Sequence, residues 1–300
     1  MSAPHDTTST ATAREIASQP EIWRQALALP ASTTAALPTS GESVLGLGCG
    51  TSYYILDAYA HRRQQLCGTV TRAAIASELD ELVRYDRVLY LSRSGTTADV
   101  LSADIELAGC SPTVAICGTP GAPLVAQADE SVLLSFADES SIVQTRFATT
   151  ALLLLRRSLG EDVSALPDVA EEALADELPL DPMRHRHVVF LGSGWTIGIA
   201  QEAALKCREA AALTTEAYAV GEYRHGPIAL AGEGTLVWSF APVPADVRSA
   251  VTATGADFRE TRRDALAELV LAHRVALAVA LARGLNPDTP QHLSRSVDGT

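Results

Sequence analysis

The chain of 300 residues has only five cysteines, Cys49, Cys67, Cys110, Cys117 and Cys207, scattered with no C-x-x-C pair among them. Such a set builds neither a disulfide framework nor a zinc cage, so no metal is expected. Basic residues are scarce as well: 23 Lys and Arg against 36 Asp and Glu leave a formal net charge of -13. Nucleic acid is thereby excluded as the main partner, because phosphate backbones need basic stripes and none is visible. An anionic small molecule remains compatible, since backbone N–H groups and hydroxyls can hold one locally. The first residues, Met-Ser-Ala-Pro-His-Asp-Thr, lack the basic and apolar regions of a signal peptide. The long apolar stretches are broken by charges such as Arg274 and Arg283. A cytoplasmic location and no membrane partner are therefore expected.

What is present is a regular alternation. Residues 1–11 are small and polar and are expected to be mobile. Thr12 and Glu15 read as a capping box opening a helix that is interrupted near Pro20 and completed as an arm reaching Leu29. Short apolar runs at 44–47, 69–76, 88–91, 113–117 and 131–136 read as strands, with helical stretches between and after them, the last at 147–159. That order predicts a parallel, doubly wound α/β sheet. Residues 161–186 are acidic, carry Pro167, Pro179 and Pro182, and read as a linker with a short helix inside. The pattern then restarts: Val44-Leu-Gly-Leu-Gly-Cys-Gly-Thr matches Val188-Val-Phe-Leu-Gly-Ser-Gly-Trp, with the paired glycines 144 residues apart. This is an internal duplication. After the strand at 235–240 only helical patterns are visible through Gly284, so the second sheet is expected to be trimmed. The expected organisation is a tail and helical arm (1–39), a first subdomain (40–160), the linker (161–186) and a second subdomain (187–300).

The second repeat carries the most chemistry. A strand, a glycine turn and a helix follow one another from residue 188, and on that helix Glu202, Lys206 and Glu209 are four and three residues apart, on one face. A surface ion-pair row has the same spacing. The neighbours Ala203, Ala204, Leu205, Cys207, Ala210 and Ala211 instead point to a helix packed on several sides. A carboxylate held there can carry a raised pKa and act as a base near neutrality. His225 follows in the Gly-Glu-Tyr-Arg-His-Gly-Pro turn, either as a capping loop residue or as a functional one.

In the first repeat, Ser92-Arg-Ser-Gly-Thr-Thr lies where a buried strand gives way to a helix. Four hydroxyls, a glycine and a helix N-terminus can hold a phosphate without a buried lysine. A plain N-cap needs only one hydroxyl. Cys49, Gly50, Thr51 and Ser52, at the end of the first strand, face the same crevice in a parallel sheet. Cys49 has no histidine near it in sequence and reads as a packing residue rather than a nucleophile. His185, His187, His61, His273 and His292 read as surface or packing histidines.

These segments together resemble the SIS (sugar isomerase) family, whose domains are flavodoxin-like sheets that bind phosphosugars. The resemblance covers roughly residues 40–298 and rests on Cys49-Gly-Thr-Ser, Ala76-Ser-Glu, Ser92-x-Ser-Gly-x-Thr, Glu139 with Thr145, Glu202-x-x-x-Lys206-x-x-Glu209, His225-Gly-Pro and Asn286-Pro-Asp-Thr-Pro. Within the family it looks most like the isomerase half of the glucosamine-6-phosphate synthases and the galactosamine-6-phosphate deaminase/isomerase type. It implies two flavodoxin-like doubly wound subdomains, with Ser92, Ser94, Thr97 and Ser52 holding a sugar phosphate. It further implies Glu209 as the base moving a proton between C1 and C2, with Glu202 and Lys206 supporting or polarising the site. His225 would assist ring opening from the neighbouring subunit of a homodimer.

The departures from the family pattern are informative too. No glutaminase domain or N-terminal cysteine nucleophile precedes the match, so glutamine-derived ammonia is not expected. Arg295 stands where the synthases have a tail lysine, and arginine stays protonated and forms no imine. Gln144 replaces a smaller hydroxyl-bearing residue and Arg93 a neutral one, which points to a different substrate outline. No cofactor is expected, since proton transfer needs none and the G-x-G turns lack the rest of a dinucleotide fingerprint. The expected activity is an amino-sugar 6-phosphate isomerase/deaminase working by C2 proton abstraction through an enolic intermediate. The alternatives are elimination of the 3-hydroxyl from an N-acylated substrate such as N-acetylglucosamine 6-phosphate, and a non-catalytic phosphosugar sensor.

Overall fold

The computed structural model describes residues 10–79, 84–107 and 109–296. The expectation of a mobile segment at 1–11 falls, for residues 1–9, outside these. Two helices open the described chain, α1 (Ala11–Ala17) and α2 (Gln19–Leu27), and the chain forms two compact units.

One unit takes residues 21–139, 146–165 and 294–296. Its elements are β1 (Val44–Gly48), α3 (Thr51–Cys67), β2 (Thr71–Ile75), β3 (Arg87–Ser92), α4 (Ala98–Leu107), β4 (Thr113–Cys117), α5 (Pro123–Gln127), β5 (Glu130–Leu133) and α6 (Arg146–Ser158). The five strands pair in parallel in the order β2-β1-β3-β4-β5. This is the flavodoxin-like winding, with its reversal of strand order between β1 and β3. Every residue of β1 and β4 is buried, as expected of parallel strands covered on both faces. Ten of the residues of α6 are buried, and Thr149 on it accepts a 3.1 Å hydrogen bond from Trp23 Nε1. That bond satisfies the one polar atom of a fully buried indole.

The other unit takes residues 10–20, 140–145 and 166–293. It holds α7 (Leu166–Ala175), β6 (His187–Gly192), α8 (Thr196–Ala211), β7 (Thr214–Ala219), β8 (Thr235–Ser239), α9 (Ala245–Ala253), β9 (Asp257–Glu260) and α10 (Ala265–Ala282). Among the described residues its sheet has four parallel strands, ordered β7-β6-β8-β9. The winding is the same and the fifth strand is absent, so this sheet is the smaller of the two. Two of its strands correct the sequence reading, which saw no strand at β7 or β9. Both are edge strands with mostly half-exposed residues, and the polar Asp-Phe-Arg-Glu of β9 has no apolar run to betray it. α10 is long and apolar enough, by length and composition, to cross a membrane. Here 72% of that stretch is buried inside the protein, packed against α7 and α8.

The duplication is visible in the backbone. A Cβ placed on Gly48 would come within 2.9 Å of the backbone carbon of Ser52, and one on Gly192 within 2.3 Å of the backbone oxygen of Thr196. In both units the first helical turn packs directly on the end of the central strand, and only glycine allows that approach.

The capping box expected at Thr12 and Glu15 is replaced by a different arrangement. Thr10 is the N-cap of α1, its hydroxyl accepting from Ala13 N at 3.1 Å. Thr12 lies inside the helix and gives its N–H and hydroxyl to Asp288 Oδ1 at 2.8 and 2.7 Å, while Ala11 N donates to Asp288 Oδ2 at 2.8 Å. A carboxylate brought from far along the chain thus closes the positive end of the helix dipole. Glu15 turns the other way and accepts from Ser140 N at 2.5 Å and from the N–H and hydroxyl of Ser141.

Candidate functional site

In the five-stranded unit the loops after β1 and β3 meet at the reversal of strand order, where open α/β sheets bind ligands. Ser92 Oγ accepts from Gly95 N at 3.1 Å and lies 3.4 Å from Thr97 Oγ1. Ser94 Oγ accepts from Thr96 N and Thr96 Oγ1 at 3.2 and 3.0 Å. The hydroxyls therefore shape the loop and face one another at the start of α4, whose first N–H groups lack helical partners. Gly95 sits at φ 63°, and a Cβ there would meet Ala122 Cβ at 2.6 Å, so the turn tolerates no side chain. Thr51 and Ser52 open α3 on the same side of the sheet and are both buried. Gly50, at φ 54°, precedes them as the N-cap.

Three other candidates in this unit are placed differently from one another. Burial, with the charge of Asp99 adding to it, pushes the Cys49 thiol above its ordinary value, which keeps it protonated and unreactive. Arg93 is 2% exposed, and its Nη1 lies 3.9 Å from Glu139 Oε2. Glu139 also caps α6, accepting from Arg146 N at 2.9 Å and Phe147 N at 3.3 Å. Two residues that sequence reasoning did not place in this loop also touch the region. Thr96 Oγ1 and Ser296 Oγ lie 2.8 Å apart. Arg295 grips Asp138 through Nη2, at 2.7 and 2.9 Å, and bonds the carbonyl of Glu139 through Nη1. Their shared origin in the Leu293-Ser-Arg-Ser tail was the available signal.

In the four-stranded unit α8 brings Glu202, Lys206 and Glu209 together as their spacing requires. They are not a surface row: the side chains of Glu202 and Lys206 are 0% and 1% exposed, against 21% for Glu209. Lys206 Nζ lies 3.5 Å from Glu202 Oε1 and forms a close ion pair and hydrogen bond with Glu209 Oε2. Lys206 is also the only lysine in the chain, a signal available from composition alone. A buried ammonium held by two carboxylates on one helix face is favourable only because both partners are in place.

His225 stands on the turn after β7, exposed, with its backbone N–H bonded to Glu222 O at 2.9 Å. Its ring makes no hydrogen bond among the described residues. The turn has Gly226 at φ 133° and contains the fully buried Tyr223. Among the described residues His225 and Glu209 make no hydrogen bond or ion pair with each other. His273, on α10, is buried, and burial followed by the charge of Lys206 pushes it down to about 3. It is a neutral packing residue whose Nδ1 meets Gln19 Nε2 at 3.3 Å. Gln144 belongs to the 140–145 segment held by Glu15, and its Oε1 is buried without a hydrogen-bond partner among the described residues. Among the described residues no group of His, Cys, Asp and Glu could hold a metal ion.

No family model matches the chain. It is 32% identical over 229 residues to the glutamine–fructose-6-phosphate aminotransferase (isomerizing) of Pseudomonas aeruginosa, covering 65% of this chain and 37% of that protein. The corresponding Escherichia coli K12 protein is 33% identical over 218 residues, 63% and 36% of the two chains. The chain thus spans little more than a third of the length of the curated relatives it matches. Among solved structures, a glucosamine-6-phosphate deaminase from Thermotoga maritima superposes with a TM-score of 0.84 at 26% identity, over 97% of this chain and 100% of that one. The C-terminal domain of a glucosamine-fructose-6-phosphate aminotransferase from Francisella tularensis gives a TM-score of 0.78 at 21% identity, over 96% and 100%. At that identity the likeness is one of fold. The protein is homologous to the isomerase (SIS) domain of glutamine–fructose-6-phosphate aminotransferase, and its structural neighbours are phosphosugar isomerases and related SIS-domain proteins.

Proposed function

We propose that this protein is an amino-sugar 6-phosphate isomerase/deaminase in which Glu209 moves a proton at C2 of the open-chain sugar. The observation that carries this reading is the Glu202–Lys206–Glu209 array, a base on a cleft backed by a buried ion pair. When Glu209 takes the C2 proton it loses its charge, and Lys206 would be left buried and uncompensated if it had one partner only. Glu202 remains to balance it. The second carboxylate therefore makes protonation of Glu209 tolerable during the reaction.

The resulting enolic intermediate has two fates that need no cofactor. Returning the proton to C1 gives the ketose, or the ketose imine when C2 carries nitrogen, and water then releases ammonia from the imine. The names of the relatives, an isomerizing aminotransferase and a deaminase, support this chemistry. The hydroxyls of Ser92, Ser94, Thr97 and Ser52 supply donors for the phosphate, at the place where its fold directs ligands. His225, exposed on the turn after β7 and with no hydrogen bond to its ring among the described residues, fits a residue donated to a second copy in a cytoplasmic homodimer.

Proton NMR in deuterated water with glucosamine, galactosamine and N-acetylglucosamine 6-phosphates, combined with an ammonia assay, tests the proposal. Loss of the C2 proton signal with release of ammonia supports it. A vinylic signal would show elimination of the 3-hydroxyl instead. A sugar phosphate that raises the melting temperature but exchanges no proton would show a sensor.

A further inference from the structure

A cleft of about 400 Å³ opens in the four-stranded unit. One wall is the end of α8, with Arg208 and Glu209; the other is the segment after α10, with Asn286, Thr289 and His292. We infer that His292 is the second acid–base group of this cleft, exchanging protons with the oxygens of a sugar phosphate while Glu209 exchanges one with its carbons. The inference rests on the reading of Glu209 as the base.

The backbone at His292 is the first argument. It is one of two described non-glycine residues at positive φ, at 63°, a conformation that costs on the order of 1 kcal/mol and persists where the surroundings impose it. The surroundings are held by hydrogen bonds. Asp288 is tied through both carboxylate oxygens to α1, and its own N–H donates to Asn286 Oδ1 at 3.0 Å. The opposite wall is tied as firmly, with Arg283 Nη1 donating to the carbonyls of Ala211 and Ala212 at 3.0 Å each.

The second argument is elimination among the histidines of this unit. His185 is held by Asp257 at 2.8 Å and by the backbone of Asp181, and His187 by Glu216 at 2.9 Å. His273 is buried and stays neutral. The rings of His225 and His292 have no hydrogen-bond partner among the described residues, and of these two only His292 shares the cleft with Glu209. The charged groups facing the cleft are Arg208 and Glu209, with Lys206 behind the latter.

The third argument is chemical. Moving a carbonyl from C1 to C2 requires two proton relays, one along the carbons and one along the heteroatoms. Glu209 takes the C2 proton and returns it to C1. The imidazolium gives its proton to O1 as the enol forms, and the imidazole recovers one from O2, or from the nitrogen in its place, as the new double bond forms. Both residues end as they began. Histidine suits the heteroatom relay because its charge changes near neutrality.

The test compares His292→Asn and Glu209→Gln with the unaltered protein, as kcat and KM across pH. Asparagine tolerates the left-handed conformation, so the fold is preserved. The expected result for His292→Asn is a fall in kcat of about 10² to 10⁴, with KM changed little, and disappearance of one limb of the kcat profile against pH. A loss of activity that keeps this limb, or a kcat within about 3-fold of the unaltered protein, overturns the proposal. Full activity of Glu209→Gln removes the base assignment while leaving the His292 limb readable. Should no sugar phosphate turn over, the imidazole resonance missing from His292→Asn is followed as glucosamine 6-phosphate is added, and its failure to shift overturns the placement of His292.

Discussion

Lys206 Nζ and Glu202 Oε1 lie 3.5 Å apart with 1% and 0% of their side chains exposed, so Lys206 compensates the buried charge of Glu202 while also holding Glu209 more closely. Removing one member of such a pair leaves a buried charge. Glu202→Ala is expected to destabilise the protein by about 3 kcal/mol, the low end for a broken buried pair because Glu209 still holds Lys206. The double variant Glu202→Leu/Lys206→Met is expected to be less destabilised than the sum of its parts. Urea unfolding measures both, and strict additivity would contradict the coupling.

Acid sensitivity has an identifiable source in His273. Its folded value, about 3, lies below the ordinary value of 6.5 because the charged form is unfavourable in a buried site beside Lys206. Between those two values the unfolded chain binds a proton that the folded protein refuses, so stability is full above the upper value and falls as pH drops through the window. His273→Gln is expected to flatten the urea midpoint against pH over that range. An unchanged slope would show that other groups carry the acid limb.

Close packing at the strand ends predicts unequal effects of two alanine substitutions. Gly192→Ala would drive a methyl into the backbone at Thr196, 2.3 Å away, and is expected to cost about 3 kcal/mol. Gly221→Ala has nothing within 4 Å and is expected to stay within about 0.5 kcal/mol. Melting temperatures of the two variants decide this.

Hydroxyl deletions in the Ser92–Thr97 loop separate binding from turnover. Ser94→Ala removes the acceptor of Thr96 N and one donor for an anion. A roughly 10- to 100-fold rise in KM for a sugar phosphate is expected, with a smaller change in kcat, from a lost hydrogen bond to a charged group. A KM unchanged alongside a collapse in kcat would place the phosphate elsewhere.

The sequence made the central strands plain, because β1, β3, β4, β6 and β8 are apolar runs covered on both faces. β7 and β9 escaped notice because edge strands bury little and need no apolar run. The α8 array was readable from helical periodicity, and its small apolar neighbours foretold its burial. Contacts between distant residues were not readable. Asp288 lies 276 residues from Thr12, and no local pattern links them. The Thr12–Glu15 spacing suggested a local cap, whereas the tertiary fold supplies a better one. His292 was passed over for a related reason: its left-handed backbone and its place opposite Glu209 arise only when the segment after α10 folds back onto α8.

The most direct measurement of the central claim is the rate of C2 proton exchange of glucosamine 6-phosphate in deuterated water by the unaltered protein and by Glu209→Gln. The account predicts exchange by the former, a loss of about 10² to 10⁴ in the latter, and a melting shift on adding the sugar phosphate that both retain. Exchange at full rate by Glu209→Gln would contradict it.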